Sequence, residues 1–351
     1  MEQNWIVGPN DRMLVTGANG FIGVRVVKLL LDYGFRNLRC FVRPTSRLDS
    51  LKQVLNEYGA SGETEIVAGD LTSRSDCEAA AHGVRVAFHL AAGFDKSFAG
   101  AFMNSALATR NLVESLLEVG RLARFVNVSS FAVYSNLQMR RGELLAEDAP
   151  LEDSPHGRWD AYGFGKLKQE QLVRRYGEER RVPFVILRPG TVFGPGKKDL
   201  TGRIGIGTFG IFLHVGGSNV LPLTYVDNCA EAIVRAGIVP GIDGQTFNVV
   251  DDDPLTSREF LRAYKAANPE FRSIRMPYTV AWILSRAWEW YSQASKGQLP
   301  PAFNRRRCAA EWKGNRYSNE KLKRALAWTP RVPMSEAMTR YLSQFAPVRE
   351  R

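Results

Sequence analysis

Three sets of residues in this chain have the types and spacing to do chemistry together. Tyr162 and Lys166, in AYGFGKLKQEQL, are four positions apart, so on a helix both side chains stand on one face, a turn apart. A tyrosine with an ordinary pKa near ~10 is a poor acid or base at neutral pH. An adjacent ammonium stabilises its phenolate and lowers that pKa, and a serine hydroxyl can hydrogen-bond the substrate oxygen that gains or loses the proton. Ser129 and Ser130 offer such hydroxyls directly after an apolar run. The third set is Gly17, Gly20 and Gly23 in MLVTGANGFIG, a spacing that leaves no Cβ where a backbone turns sharply, meets a pyrophosphate and packs a helix on a strand. Alone, a Tyr-x-x-x-Lys pair is a common helix-surface pairing and a strand-end serine is a common cap. Behind a glycine fingerprint, the two together point to catalysis.

These residues need a frame. A short apolar strand at 13–16, a helix over 21–33 and a second strand over 38–42 make a βαβ unit, whose helix aims free N–H groups and its positive dipole end at a phosphate. That context carries the argument, because Gly205, Gly207 and Gly210 also spell G-x-G-x-x-G with no apolar strand leading into them. Arg43 follows the second strand, where an acidic residue would bind a ribose 2′-hydroxyl and a basic one accommodates a 2′-phosphate. With Arg47 and Ser46 beside it, the expected cofactor is NADP(H) rather than NAD(H).

Further strands are expected at 65–68, 84–90, 125–128 and 184–187, the first two ending in Gly69-Asp70-Leu71 and Ala91-Ala92-Gly93. Small and polar strand ends suit loops that cross a cofactor. Between them a helix over 99–119 carries Phe102, Ala106, Leu112, Val113 and Leu116 at helical spacing, as core or dimer surface. The Tyr162 helix spans 160–176. From Arg188 to about Val220 the chain is glycine-rich and irregular, suggesting a mobile loop over the substrate. A strand-like 221–226 opens a helix capped by Asp227, 246–250 returns to the main sheet, and 251–345 is mostly helical.

The expected fold class is therefore α/β, a doubly wound parallel sheet (Rossmann) with a smaller, mostly helical C-terminal substrate lobe. Its 351 residues suggest two lobes. Residues 10–190 and 221–250 read as the dinucleotide-binding domain, 191–220 and 251–346 as the substrate-binding lobe. A net charge of +11 favours anionic partners. The basic residues are dispersed apart from Arg305, Arg306 and Arg307, so nucleic acid is not expected. Four separated cysteines form no C-x-x-C pattern, the N-terminus lacks a secretory signature and no apolar run spans a bilayer, so a reduced, cytoplasmic setting is expected. Four scattered histidines give metal catalysis no support.

The ordered motifs TGANGFIG (16–23), GDL (69–71), HLAA (89–92), VSSFAVY (128–134), YGFGK (162–166), LRPGTVFGPG (187–196) and YVDNCAEAI (225–233) resemble the extended short-chain dehydrogenase/reductase family over nearly the whole chain. The resemblance implies an NAD(P)-dependent oxidoreductase. In it Ser130 is the serine, Tyr162 the acid/base, and Lys166 its partner and the holder of the nicotinamide ribose. It implies cofactor contacts at Gly17, Asn19, Gly20, Phe21, Ile22, Gly23, Arg43, Asp70, Leu71, Ala91, Ala92, Pro189, Gly190, Thr191 and Val192. The family's mid-helix Asn-Gly-Thr is replaced by Asn104-Ser105-Ala106-Leu107-Ala108-Thr109, leaving open whether Asn104 or Ser105 serves.

Dehydratases of the family carry Asp-Glu where this chain has Phe131-Ala132, and its epimerases commonly keep an Asn and an acidic residue where Thr191 and Arg43 stand. VRPTSR, the apolar segment near 278–291 and RYSNEKLKRALAWTPRVPMSEAM instead look like the 3β-hydroxysteroid dehydrogenase and dihydroflavonol reductase branch. That implies a hydrophobic small-molecule substrate, a lipid-like or polycyclic ketone or alcohol of steroid-, polyketide- or flavonoid-like character. A sugar-nucleotide enzyme and a non-catalytic NADP-binding regulator are the alternatives. The helix over 278–294 has Ser285, Arg286, Glu289, Ser292 and Gln293 on one narrow stripe. Its broad apolar remainder reads as lobe core, as a substrate-pocket wall, or as peripheral membrane contact.

Overall fold

A computed structural model describes residues 5–93, 95–296 and 298–345. Seven parallel strands form the main sheet: β1 (Arg12–Thr16), β2 (Leu38–Val42), β3 (Glu65–Ala68), β4 (Val84–His89), β5 (Arg124–Val128), β6 (Phe184–Pro189) and β7 (Thr246–Val249). Their spatial order is β7-β6-β5-β4-β1-β2-β3. β2, β5 and β6 are buried along their whole length, as continuous apolar runs must be when helices cover both faces. β3 is an edge strand, exposed at Glu65 and Ala68 and half-buried between them. The order reverses at β1, which pairs with β2 on one side and β4 on the other, so a crevice opens beyond their carboxyl ends. Thr16 and His89 face each other in register at that point.

The glycine turn sits between β1 and helix Gly23–Asp32. Gly17 adopts φ +68°, and a Cβ there would meet the Ala91 backbone N at 3.2 Å; a Cβ on Gly23 would lie 2.1 Å from the Gly17 carbonyl oxygen. Only glycine permits this approach of strand, turn and helix. The competing glycine series at 205–210 instead belongs to an antiparallel hairpin, Gly205–Thr208 with Ile211–His214, with Gly210 in its turn at φ +76°. Much of the stretch expected to be irregular is thus strand, since Thr191–Phe193 also pairs in parallel with Leu223–Tyr225.

Two further boundaries differ from expectation. The helix expected over 99–119 is broken into Phe98–Phe102, a π-helical turn Met103–Leu107, and Ala108–Val119. Single π turns inside helices are often found at functional sites. Asp227 does not cap its helix: Tyr225 is the N-cap of Val226–Ile238 without a side-chain bond, and Asp227 stands in the first turn facing Arg25 at 3.4 Å. A carboxylate there still opposes the positive helix end. Asp160 does cap helix Ala161–Arg180, accepting from Gly163 N at 2.9 Å.

Beyond β7 the chain forms helices Ser257–Ala267, Tyr278–Ala294, Arg305–Trp312, Glu320–Leu326 and Met334–Ser343. Among the described residues no helix is long and apolar enough to cross a membrane.

Candidate active site

A cavity of about 800 Å³ opens at the sheet's switch point. Gly17, Asn19, Gly20, Phe21, Ile22 and Gly23 line it from the first turn, Arg43 and Ser46 from the end of β2, and Asp70 and Leu71 from the end of β3. Ala91 and Ala92 follow β4, Ser129 and Ser130 follow β5, and Pro189, Gly190, Thr191 and Val192 come from β6 and beyond. Tyr162 and Lys166 enter from their helix. Every catalytic and cofactor-contact residue expected from the sequence thus reaches one cavity, whereas Arg47 and Ser105 do not line it. Only the backbone of Arg47 is engaged there, accepting from Asn19 Nδ2 at 3.3 Å.

The two serines separate clearly. Ser129 Oγ is buried with no hydrogen-bond partner among the described residues. Ser130 caps the short 3₁₀ turn Phe131–Val133, its Oγ accepting from Ala132 N at 3.1 Å, and hydrogen-bonds the Tyr162 phenol. Of the two mid-helix candidates Asn104 lines the cavity, whereas Ser105 is buried beneath the π turn.

Lys166 is buried, and its Nζ donates to Val128 O at 2.6 Å and Gln169 Oε1 at 3.0 Å. Burial draws its pKa down to about 7, with Glu170 opposing. The expected lowering of the Tyr162 pKa is not what the structure shows. Burial pushes the phenol above its ordinary value, and the Ser130 hydrogen bond pulls against that. The reason is desolvation, which penalises the phenolate and the ammonium alike.

Behind Lys166 runs a buried polar chain. Gln169 Nε2 donates to Thr109 Oγ1 at 2.8 Å, and Thr109 donates its only hydroxyl proton to Ser105 O at 2.7 Å. Toward His89 Nε2, 2.9 Å away, Thr109 can therefore only accept, which places the imidazole proton on Nε2. Nδ1 then accepts from Thr16 Oγ1 at 2.9 Å, and Thr16 Oγ1 accepts from Ala91 N at 3.2 Å. Burial drives the His89 pKa to about 3, so it remains neutral and the chain keeps this polarity. The chain links Lys166 to the glycine-turn strand through Gln169, Thr109, His89 and Thr16. One turn past Lys166, Glu170 holds Arg188 of β6 through two bonds of 2.9 and 2.7 Å, both side chains being buried. Arg188 also donates to Tyr134 Oη and to Glu147 O.

Sequence reasoning passed over several of these groups. Gln169 and Glu170 carried a signal, lying three and four positions past Lys166 on the same helix. His89 stands in a motif that carries the family resemblance and Thr109 in the helix where the chain departs from it, but nothing local signals their contact, since only folding brings them together. Lys197 also lines the cavity, its Nζ bonded to Val192 O at 3.2 Å and 6.0 Å from the Phe21 ring centroid. Among the described residues none of 278–294 lines the cavity, so the pocket-wall reading of that helix is set aside. No group of three His, Cys, Asp or Glu side chains there is disposed to hold a metal ion.

The cavity fits a dinucleotide: its turn has no room for a Cβ, a helix without a side-chain cap starts at Gly23, and a cation stands after β2. Fold and site define a Rossmann-type dinucleotide-dependent oxidoreductase. The chain belongs to the NAD dependent epimerase/dehydratase family, whose model matches residues 13–249. It is an NAD(P)-dependent enzyme of the extended short-chain dehydrogenase/reductase type.

It is 26% identical over 354 residues to sterol-4-alpha-carboxylate 3-dehydrogenase, decarboxylating, of Homo sapiens, covering 96% of this chain and 89% of that one. It is 26% identical over 352 residues to a 3-beta-hydroxysteroid dehydrogenase of Mycolicibacterium neoaurum, covering 95% and 91%. Among solved structures, UDP-glucuronic acid 4-epimerase of Bacillus cereus, in complex with UDP-glucuronic acid and NAD, shares the fold with TM-score 0.71 at 19% identity, covering 95% of this chain and 98% of that one.

Proposed function

We propose that this protein interconverts a ketone and a secondary alcohol on a hydrophobic substrate of steroid-, polyketide- or flavonoid-like character, using NADP(H). The observation that carries the chemistry is the Ser130 hydroxyl on the Tyr162 phenol, with buried Lys166 one turn away and all three lining the cavity of the glycine turn. The substrate class is supported by the sterol relatives, which align beyond residue 249 into the C-terminal helices, and by Phe193, Leu200 and Phe260 in the cavity wall. Arg43 supports the phosphorylated cofactor. Residues 191–220 and 251–346 are read as the substrate lobe.

When bound, the reduced nicotinamide supplies a hydride to the carbonyl carbon. Tyr162 gives its phenolic proton to the carbonyl oxygen, so the C=O π pair becomes an O–H bond and a phenolate remains, to be reprotonated from solvent. Ser130 orients the oxygen by hydrogen bonding and eases the phenol's ionisation. Lys166, pinned by Val128 and Gln169, faces the developing phenolate with whatever positive charge the pH leaves it. General acid catalysis of this kind contributes about 10²–10⁴-fold.

The test is NADPH consumption with steroid, flavonoid-like and 4-keto sugar-nucleotide substrates, for the wild type and Tyr162→Phe. A lipid-like ketone should be reduced, and Tyr162→Phe should turn over about 10²–10⁴-fold more slowly with NADPH still bound. Turnover confined to sugar nucleotides moves the substrate to the epimerase branch. NADPH binding without turnover of any carbonyl leaves a regulator.

A further inference from the structure

Helix Tyr278–Ala294 turns only a narrow face toward the protein. Ala281, Tyr278 and Trp282 pack with Cys308 and Trp312, Trp288 Nε1 donates to Pro300 O at 3.1 Å, Ser292 Oγ donates to Leu299 O at 2.6 Å, and Glu289 pairs with Arg305 at 2.6 Å. Ala281, Ser285 and Ser292 are its buried residues. Val280, Ile283, Leu284, Ala287, Trp290 and Tyr291 recur at helical spacing and, at 100° per residue, fall within an arc of about 120°. That arc faces solvent: Ile283 is 66% exposed, Trp290 70% and Tyr291 53%. The strand leading into the helix adds Ile274, also exposed, between Arg272 and Arg275. Soluble proteins rarely leave so continuous an apolar stripe uncovered.

We propose that this face docks on an anionic lipid surface, with the helix lying in the interface. Charge chooses the occupant. Residues 270–307 hold seven arginines and lysines against two glutamates, a net +5 out of the chain's +11. Glu289 is already neutralised by Arg305, while Arg272, Arg275, Arg286, Lys296 and Arg307 are exposed around the stripe. A second copy of this face would set like charge against like charge, whereas an anionic bilayer complements it. Tryptophan and tyrosine favour the headgroup level, where ring and polar tip are both accommodated. With no spanning helix among the described residues, this is surface attachment. The proposal is independent of the substrate class argued above.

Flotation of the full chain with phosphatidylcholine vesicles, with and without phosphatidylserine, tests it. The wild type should float with the phosphatidylserine vesicles and be released by raised salt. The double substitution Ile283→Ser, Trp290→Ser removes exposed side chains only, so NADPH affinity should be unchanged while partitioning falls by about tenfold or more. Failure of the wild type to float, or a double variant that floats equally well, overturns the proposal. So does a vesicle-free wild-type dimer that the substitutions dissociate, since a second copy then covers the face. Should the variant fail to bind NADPH, quenching of wild-type tryptophan fluorescence by brominated lipid decides: quenching supports docking and its absence overturns it.

Discussion

The Lys166 ammonium and the Gln169 amide are joined at 3.0 Å, three residues apart on one helix, and Gln169 passes the contact on to Thr109. The position of the lysine is thereby tied to His89 and Thr16 at the switch point of the sheet. Gln169 is a positioning residue, and the charge placed at its position sets the sign of the effect on Lys166. Gln169→Leu removes an acceptor from the ammonium and should lower the Lys166 pKa, whereas Gln169→Glu should raise it. The pH midpoint of NADPH binding should move down in the first variant and up in the second. Turnover in the leucine variant should fall by about tenfold, the equivalent of one lost hydrogen bond. Equal midpoints in all three proteins would reduce Gln169 to a packing residue.

Lys166 itself predicts a pH-dependent stability. An unfolded lysine titrates near 10.5 and the buried one near 7. Between those values the unfolded chain binds more protons, so stability should rise with pH across that window and stay flat below it. The stability difference between wild type and Lys166→Met, from urea denaturation without nucleotide, should increase by about 1–3 kcal/mol from about pH 7 to about pH 9. A difference that is constant or falls with pH would show that Lys166 is not desolvated.

Arg43 should decide cofactor choice. If it grips a 2′-phosphate, Arg43→Ala should weaken NADPH about tenfold to a hundredfold and leave NADH nearly unchanged. Titration of both nucleotides by fluorescence checks this. Equal losses for the two would move Arg43 to a general electrostatic role.

The Glu170–Arg188 pair clamps the Tyr162 helix to β6 from within the core. Glu170→Gln leaves a buried guanidinium without its anion and should cost about 3–5 kcal/mol in denaturation experiments. Glu170→Leu combined with Arg188→Met removes both charges and should cost less than Glu170→Gln alone. A single variant of wild-type stability would mean that water reaches the pair.

By itself the sequence determined the elements that depend on local rules. Apolar strand runs, the glycine spacing at 17–23 and the four-residue interval from Tyr162 to Lys166 are each set by covalent geometry or by short-range hydrogen bonding, and each appears where expected. Tertiary structure decided what depends on burial and on partners distant in sequence. It chose Ser130 over Ser129 for the phenol, joined Lys166 to His89 through Thr109, and turned the glycines at 205–210 into a hairpin. It also reversed one electrostatic expectation and decided the orientation of one helix whose readings the sequence left open. Desolvation raised the Tyr162 pKa that proximity to Lys166 was expected to lower. In helix Tyr278–Ala294 the stripe with the serines and Glu289 became the inner face, because Leu299 and Arg305 supply its hydrogen-bond and ionic partners. Periodicity shows that a helix has two faces; which of them turns inward depends on the groups the rest of the fold sets against it.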